Sequence, residues 1–120
     1  MKSTAQYSIG IDLGTTNSVL AYTQMTGDKT TPPQVFPIPQ FTAAATVEPR
    51  NTLPSFLYLA TDAEVAGKSY DLPWDKKVTR KDTVGALAQK QSADVPTRTV
   101  VDAKSWLTYS KVNHRTPILP

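Results

Sequence analysis

YSIGIDLGTTNSVLAYT occupies residues 7–23 and sets the architecture of the start of the chain. From Tyr7 to Leu13 the residues alternate, with Ile9, Ile11 and Leu13 on one side and Gly10 and Asp12 on the other. That is the two-residue period of a strand. Val19 to Thr23 is a second strand candidate, joined to the first by Gly14-Thr15-Thr16-Asn17-Ser18. Gly27-Asp28 fits a hairpin tip, and a third strand is expected over Gln34 to Ile38, where Pro37 needs an edge or a bulge. The start therefore reads as an antiparallel β-meander, not a strand–loop–helix nucleotide fold. Alternation buries Ile9, Ile11 and Leu13 and brings Asp12 out near the strand end on the opposite face. A dry carboxylate there would be costly. One that faces a wet cleft and a hydrated Mg²⁺ would not be.

The turn between the strands has chemistry of its own. Gly14 allows a tight bend with exposed N–H groups. Thr15, Thr16, Asn17 and Ser18 add hydroxyl and amide donors beside them. Successive backbone N–H groups in such a bend form an anion-binding nest, and phosphate is the obvious anion. For Gly14 to Asn17 alone, a plain polar turn explains the residues as well; the whole run from Ile9 to Ser18 favours the nest. It is not a Walker loop, because no Gly-Lys-Ser/Thr is present and no Lys follows Gly14 within ten residues.

Composition excludes several classes. The 120 residues make one domain or part of one. Cys is absent, so disulfides, thiolate metal sites and cysteine nucleophiles are excluded. The single His114 cannot build a histidine zinc site and reads as a surface residue. Net charge is +3, and the basic residues cluster only at Lys76-Lys77 and Arg80-Lys81, interleaved with Asp75 and Asp82. That pattern reads as a solvated loop, so no nucleic-acid partner is expected. No apolar run approaches 18 residues, so no membrane helix is expected. Met1 to Ser8 lacks the apolar stretch of a signal peptide, which points to a cytoplasmic start. The TPILP ending leaves Ile118 and Leu119 unclosed, as in the N-terminal part of a longer protein.

Further along, Phe41 to Thr46 is ambiguous, and Arg50 to Ser55 is a turn entering a strand, Phe56 to Leu59. Thr61 to Glu64 turns back toward Val65-Ala66-Gly67. Lys68 to Thr83 is polar, holds Pro73 and is expected to be an exposed, mobile loop. A helix is expected over Thr83 to Gln91, capped by Asp82, with Val84, Leu87 and Ala88 on one face. Ser92 to Pro96 should break it. A second helix should start near Val101 and Asp102, with Val100, Ala103 and Leu107 sharing a side and Lys104 at its edge. Tyr58, Tyr70, Trp74 and Trp106 read as packing or surface groups.

Ile9 to Tyr22, IGIDLGTTNSVLAY, is similar to the first signature of the seventy-kilodalton heat-shock chaperones, the DnaK-like family, which belongs with actin and the sugar kinases. Three later strings agree in order. RNTLPSFLYL (Arg50 to Leu59) resembles the family's Thr-Pro-Ser strand segment, with Leu53 where Thr is usual. VGALAQKQ (Val84 to Gln91) resembles its Gly-x-x-Ala-x-x-Gln helix start. TVVDAKSWL (Thr99 to Leu107) resembles its Asp-Ala-Lys segment, with Ser105-Trp106-Leu107-Thr108 replacing Arg-Leu-Ile-Gly. Residues 68–83 look like an insertion, and the departures indicate a divergent branch.

The resemblance implies an α/β protein, α+β in this piece: a partial actin-like, RNase H-like ATPase lobe. Residues 1–40 would start the first lobe and carry the phosphate loop. Residues 41–120 would be a small edge subdomain, truncated at its end. It implies ATP or ADP and Mg²⁺ as cofactors, with Asp12 holding the metal through water and Gly14, Thr15, Thr16 and Asn17 binding nucleotide. Thr15, near the γ-phosphate and attacking water, and Lys104, which reaches back to both, would be catalytic. Beyond nucleotide, the implied partners are unfolded peptide and co-chaperones, met through parts outside these 120 residues. The chain alone should hydrolyse no ATP. An actin-like or sugar-kinase-related ATPase, or a non-catalytic scaffold with the same fold, are the alternatives.

Overall fold

A computed structural model describes residues 5–25, 31–111 and 115. Strand β1 (Tyr7–Leu13) pairs antiparallel with β2 (Asn17–Gln24), in a register running from Tyr7 opposite Gln24 to Leu13 opposite Ser18. No helix follows Gly14; the chain turns and returns as a strand. A Cβ on Gly14 would run into the carbonyl oxygen of Asn17, so the turn closes this tightly only with glycine. β3 (Gln34–Val35) adds to β2 antiparallel, and Phe36 N donates to Leu20 O at 2.8 Å. The third strand is thus shorter than expected. It ends at Val35, two residues before Pro37, and Ile38 already belongs to β4 (Ile38–Ala43). The expected tip at Gly27-Asp28 lies outside the described residues, as do His114 and residues 116–120.

β4 forms a hairpin with β5 (Thr46–Arg50), which resolves the ambiguous stretch, with Ala45 at φ 57° in the turn. The division expected after residue 40 falls within β4. The short β6 (Leu53–Pro54) returns to the first sheet and pairs with β2, Asn17 opposite Pro54 and Ser18 opposite Leu53. β7 (Phe56–Leu59), as expected, continues directly from it. Helix α1 (Asp62–Ala66) follows where only a turn was expected. Its start is a reciprocal cap: Thr61 Oγ1 accepts from Glu64 N, and Glu64 accepts from Thr61 N. β8 (Asp82–Val84) then pairs with one edge of β7.

Helix α2 (Ala86–Asp94) begins later and runs further than the sequence pattern indicated. Val84 is a strand residue, and Asp82 pairs with Arg80 at 3.0 Å instead of capping. The helix start is held from a distance: Gln40 Oε1 accepts from Ala86 N at 2.9 Å. A 3-10 turn (Pro96–Arg98) leads into β9 (Thr99–Val101) on the other edge of β7, and α3 (Ala103–Trp106) follows. Val100 is therefore a strand residue, not part of a helix face.

The result is a mixed α/β fold of small sheets and short helices. Its core lies between α2, β4 and β7, where Leu87 and Ala88 pack on Phe41, Tyr58 and Tyr70. The aromatic rings meet edge-on, Phe41–Tyr70 at 6.0 Å and Tyr58–Tyr70 at 5.9 Å. Tyr70 and Thr83 are buried, so the 68–83 segment is not simply an exposed loop. Asp71 Oδ1 accepts from Arg80 N at 2.9 Å across it, while Trp74 stays outside.

The largest correction concerns β1. Ile9, Ile11 and Leu13 were expected in the core and are 64%, 65% and 65% exposed. Alternation fixes which side chains share a face; it does not supply a layer to cover that face. Among the described residues β1 pairs with β2 alone. With Leu20, Tyr22 and Phe36, Tyr7 and Ile9 line an open apolar groove of about 350 Å³. The first sheet projects from the core. The radius of gyration is 17.5 Å, against roughly 14 Å for a compact chain of this length. Among the described residues no helix is long and apolar enough to cross a membrane.

Candidate functional site

The turn after β1 is held from below. Lys104 Nζ donates to Leu13 O at 2.7 Å, Ser55 Oγ to Gly14 O at 2.8 Å, and Ser55 N to Thr16 O at 2.9 Å. The fold explains how such distant residues meet. β6 docks on β2 and leaves Ser55 under the turn. β7 continues from Ser55, and β9 pairs beside it with Val101 opposite Phe56. Asp102 then takes a left-handed conformation at φ 55°, which starts α3 and puts Lys104 on its first turn.

The Thr15 N–H, on the other side of the peptide whose carbonyl Ser55 holds, and the Thr16 N–H donate to no backbone carbonyl among the described residues, whereas the Gly14 N–H points into the hairpin at Asn17 O. Gly14, Thr15, Ser55 and Lys104 edge a groove of about 380 Å³ whose floor includes Val100 and Leu107. The Lys104 ammonium is exposed, and among the described residues the ion pairs are Arg50–Glu48 and Arg80–Asp82, neither of them at the groove. Unspent donors beside one positive charge make a local field that favours an anion.

The residues singled out from sequence are not all gathered here. Gly14, Thr15 and Lys104 come together at the groove. Thr16 contributes its carbonyl to the bond from Ser55 and is exposed, and Asn17 is half-buried as the first residue of β2. Asp12 is exposed on β1, opposite Val19, and does not line the groove. Among the described residues no three His, Cys, Asp or Glu side chains form a cluster suited to a metal. Ser55 was missed as a site residue. The Leu-Pro-Ser string marked a strand entry, but nothing in periodicity tells that its hydroxyl meets a turn 41 positions earlier.

A second polar cluster is structural. Tyr70 Oη donates to Glu64 Oε1 at 2.8 Å, and Tyr58 Oη to Glu64 Oε2 at 3.0 Å. Burial works to raise the Glu64 carboxyl, but the Thr61 N–H, the two phenols and the Thr61 hydroxyl outweigh it and hold it below its ordinary range. Burial, reinforced by the bond to Glu64, pushes Tyr70 up to about 12, and Tyr58 is raised for the same reasons.

Compared with family models, with curated proteins and with solved structures, the chain gives no match.

Proposed function

We propose that this chain supplies the phosphate-binding part of an ATP-hydrolysing site of the DnaK-like chaperone type, on an actin-like, RNase H-like lobe, in a cytoplasmic protein. The observation that carries this reading is the reach of Lys104 Nζ to Leu13 O, 2.7 Å, at the foot of a turn with unspent N–H donors. The Asp-Ala-Lys string and the Gly-Thr-Thr-Asn string are thereby neighbours in space as well as in the family's order.

The donor set suits the ligand. Thr15 and Thr16 offer N–H groups and two hydroxyls to phosphate oxygens, and Gly14 lets the anion approach closely. Lys104 offers a cation to the charge that develops on the transferred phosphoryl group and a donor to orient water. A hydrated Mg²⁺ needs only one or two carboxylates beside nucleotide phosphates; Asp12 lies outside the groove lining, so it would act only across water. When bound, the metal neutralises phosphate charge.

The reading is tested by titrating ¹⁵N-labelled protein with Mg·ATP and, separately, with Mg²⁺ and inorganic phosphate. Mg·ATP should shift the amide resonances of Gly14, Thr15 and Thr16, and Lys104→Ala should weaken the response to γ-phosphate. Unmoved amides at millimolar Mg·ATP would reject a nucleotide role for this turn.

A further inference from the structure

We propose that Ser55 is the positioning residue of the phosphate turn, the group that keeps the Thr15 N–H aimed outward when Lys104 lets go. The proposal rests on the nucleotide reading for its ligand, but its geometry does not. Ser55 makes two bonds to the turn, Oγ to Gly14 O at 2.8 Å and N to Thr16 O at 2.9 Å. No cis peptide is present among the described residues. In a trans peptide the N–H points opposite to the carbonyl it is joined to. Holding the Gly14 carbonyl therefore turns the Thr15 N–H away from Ser55, while holding the Thr16 carbonyl keeps the Asn17 N–H inside the hairpin and anchors the turn.

Lys104 treats the Leu13 carbonyl in the same way, but on different terms. Its ammonium is exposed and is the cation an incoming phosphate would attract. Once it turns to the anion, Leu13 O loses that donor. Ser55 is half-buried, and its backbone is fixed by β6 on one side and β7 on the other. Its hold persists through the exchange. A turn that stays organised while a charge moves next to it loses no binding energy to reordering.

The variants are Ser55→Ala, which removes the Oγ bond and leaves the N bond, and Ser55→Thr, which restores a hydroxyl. Ser55→Cys is a near-isosteric weak donor and serves if the alanine variant loses its fold. Two measurements are made on each: ¹⁵N relaxation dispersion at Gly14 and Thr15, with Tyr58 and Ala88 as core references, and Mg·ATP affinity. Alanine or cysteine should introduce exchange at Gly14 and Thr15 alone and weaken Mg·ATP about three- to thirtyfold, with threonine near the parent. A serine that only satisfies a carbonyl would leave the relaxation of the turn and the affinity unchanged, and that result overturns the proposal. If the parent binds no Mg·ATP yet Ser55→Ala still loosens the turn, Ser55's hold stands and the nucleotide reading falls. If the parent binds and Ser55→Ala binds equally well with a quiet turn, Ser55 alone is refuted.

Discussion

Lys104 and Leu13 lie 91 positions apart in the chain and meet at 2.7 Å, ammonium to carbonyl. The bond ties helix α3 to the end of β1. Among the described residues it sets the one cation that lines the groove against the strand end that leads into the turn at Gly14. In the absence of an anion, a backbone carbonyl is the natural acceptor for that ammonium, and a phosphate oxygen competes for the same donor.

If the chain serves an ATP-hydrolysing site as proposed, Lys104→Ala should lower hydrolysis at that site far more than it weakens nucleotide affinity. A charge that matters mainly as negative charge shifts in the transition state gives differential binding. The expected loss is about tenfold to a thousandfold, or ~1.4–4 kcal/mol. Lys90→Ala is the control: its Nζ meets Thr42 O at 3.4 Å on α2, away from the turn. Single-turnover hydrolysis beside separately measured affinity decides; a parent-like rate for Lys104→Ala makes Lys104 a surface lysine.

Asp12→Asn should flatten the Mg²⁺ dependence of that rate as well as lower it. Asp12 is exposed on β1 and belongs to no metal-suited cluster among the described residues, so its part in metal binding would be an electrostatic one through water. Magnesium titrations at fixed ATP check this. An unchanged magnesium midpoint would remove Asp12 from the site.

Gln40 and Gly85 form a joint whose loss should cost stability. Gln40 is 4% exposed; its Nε2 donates to Thr52 O at 3.0 Å and its Oε1 accepts from Ala86 N at 2.9 Å. Gln40→Leu leaves both partners without it, at about 2–4 kcal/mol. Gly85 sits at φ 90°, and an added Cβ would lie 2.5 Å from Gln40 Oε1. Gly85→Ala should therefore cost about 1–3 kcal/mol in backbone strain alone. Since both changes disturb one contact, the double variant should lose less than the sum. Urea unfolding of the three variants measures this; additive losses would show that the joint is not shared.

The Glu64 network sets limits on stability from both sides of the pH scale. Its carboxyl titrates lower folded than unfolded, so its contribution is full above the ordinary carboxylate range and disappears as pH falls through the folded value. Tyr70 titrates higher folded, at about 12, so its contribution is full below pH 10 and is lost as pH rises through about 12. Glu64→Gln should flatten the acid limb and leave the neutral plateau lower. Unfolding midpoints against pH test this. An acid limb that survives in Glu64→Gln would assign the dependence to other groups.

Local features were legible in the sequence and distant ones were not. The span of β1, the span of β7 and the turn at Gly14 follow from alternation and glycine placement. Helix α1 could have been found, since Thr61 and Glu64 stand at capping-box spacing. The start of α2 could not be read reliably, because its N-terminal partner is Gln40, forty-six positions away. The same holds for the groove. The strings of Gly14, Thr15 and Lys104 meet there, whereas the bond of Ser55 to Gly14 O is a tertiary contact that leaves no periodic trace. The exposure of Ile9, Ile11 and Leu13 is the converse case: a correct pattern with no layer above it.

That uncovered strand sets a ceiling on how concentrated this chain can be kept. Among the described residues β1 has no strand partner on its outer edge, where Lys104 meets only Leu13 O, and it shows three large aliphatic side chains, the combination that templates strand addition between molecules. A net charge of +3 gives weak mutual repulsion, and even that vanishes toward the isoelectric point near pH 9.2. Colloidal stability should therefore be greatest in mildly acidic, low-salt buffer and fall steeply on the alkaline side. Light scattering should register association there well before the fold itself gives way.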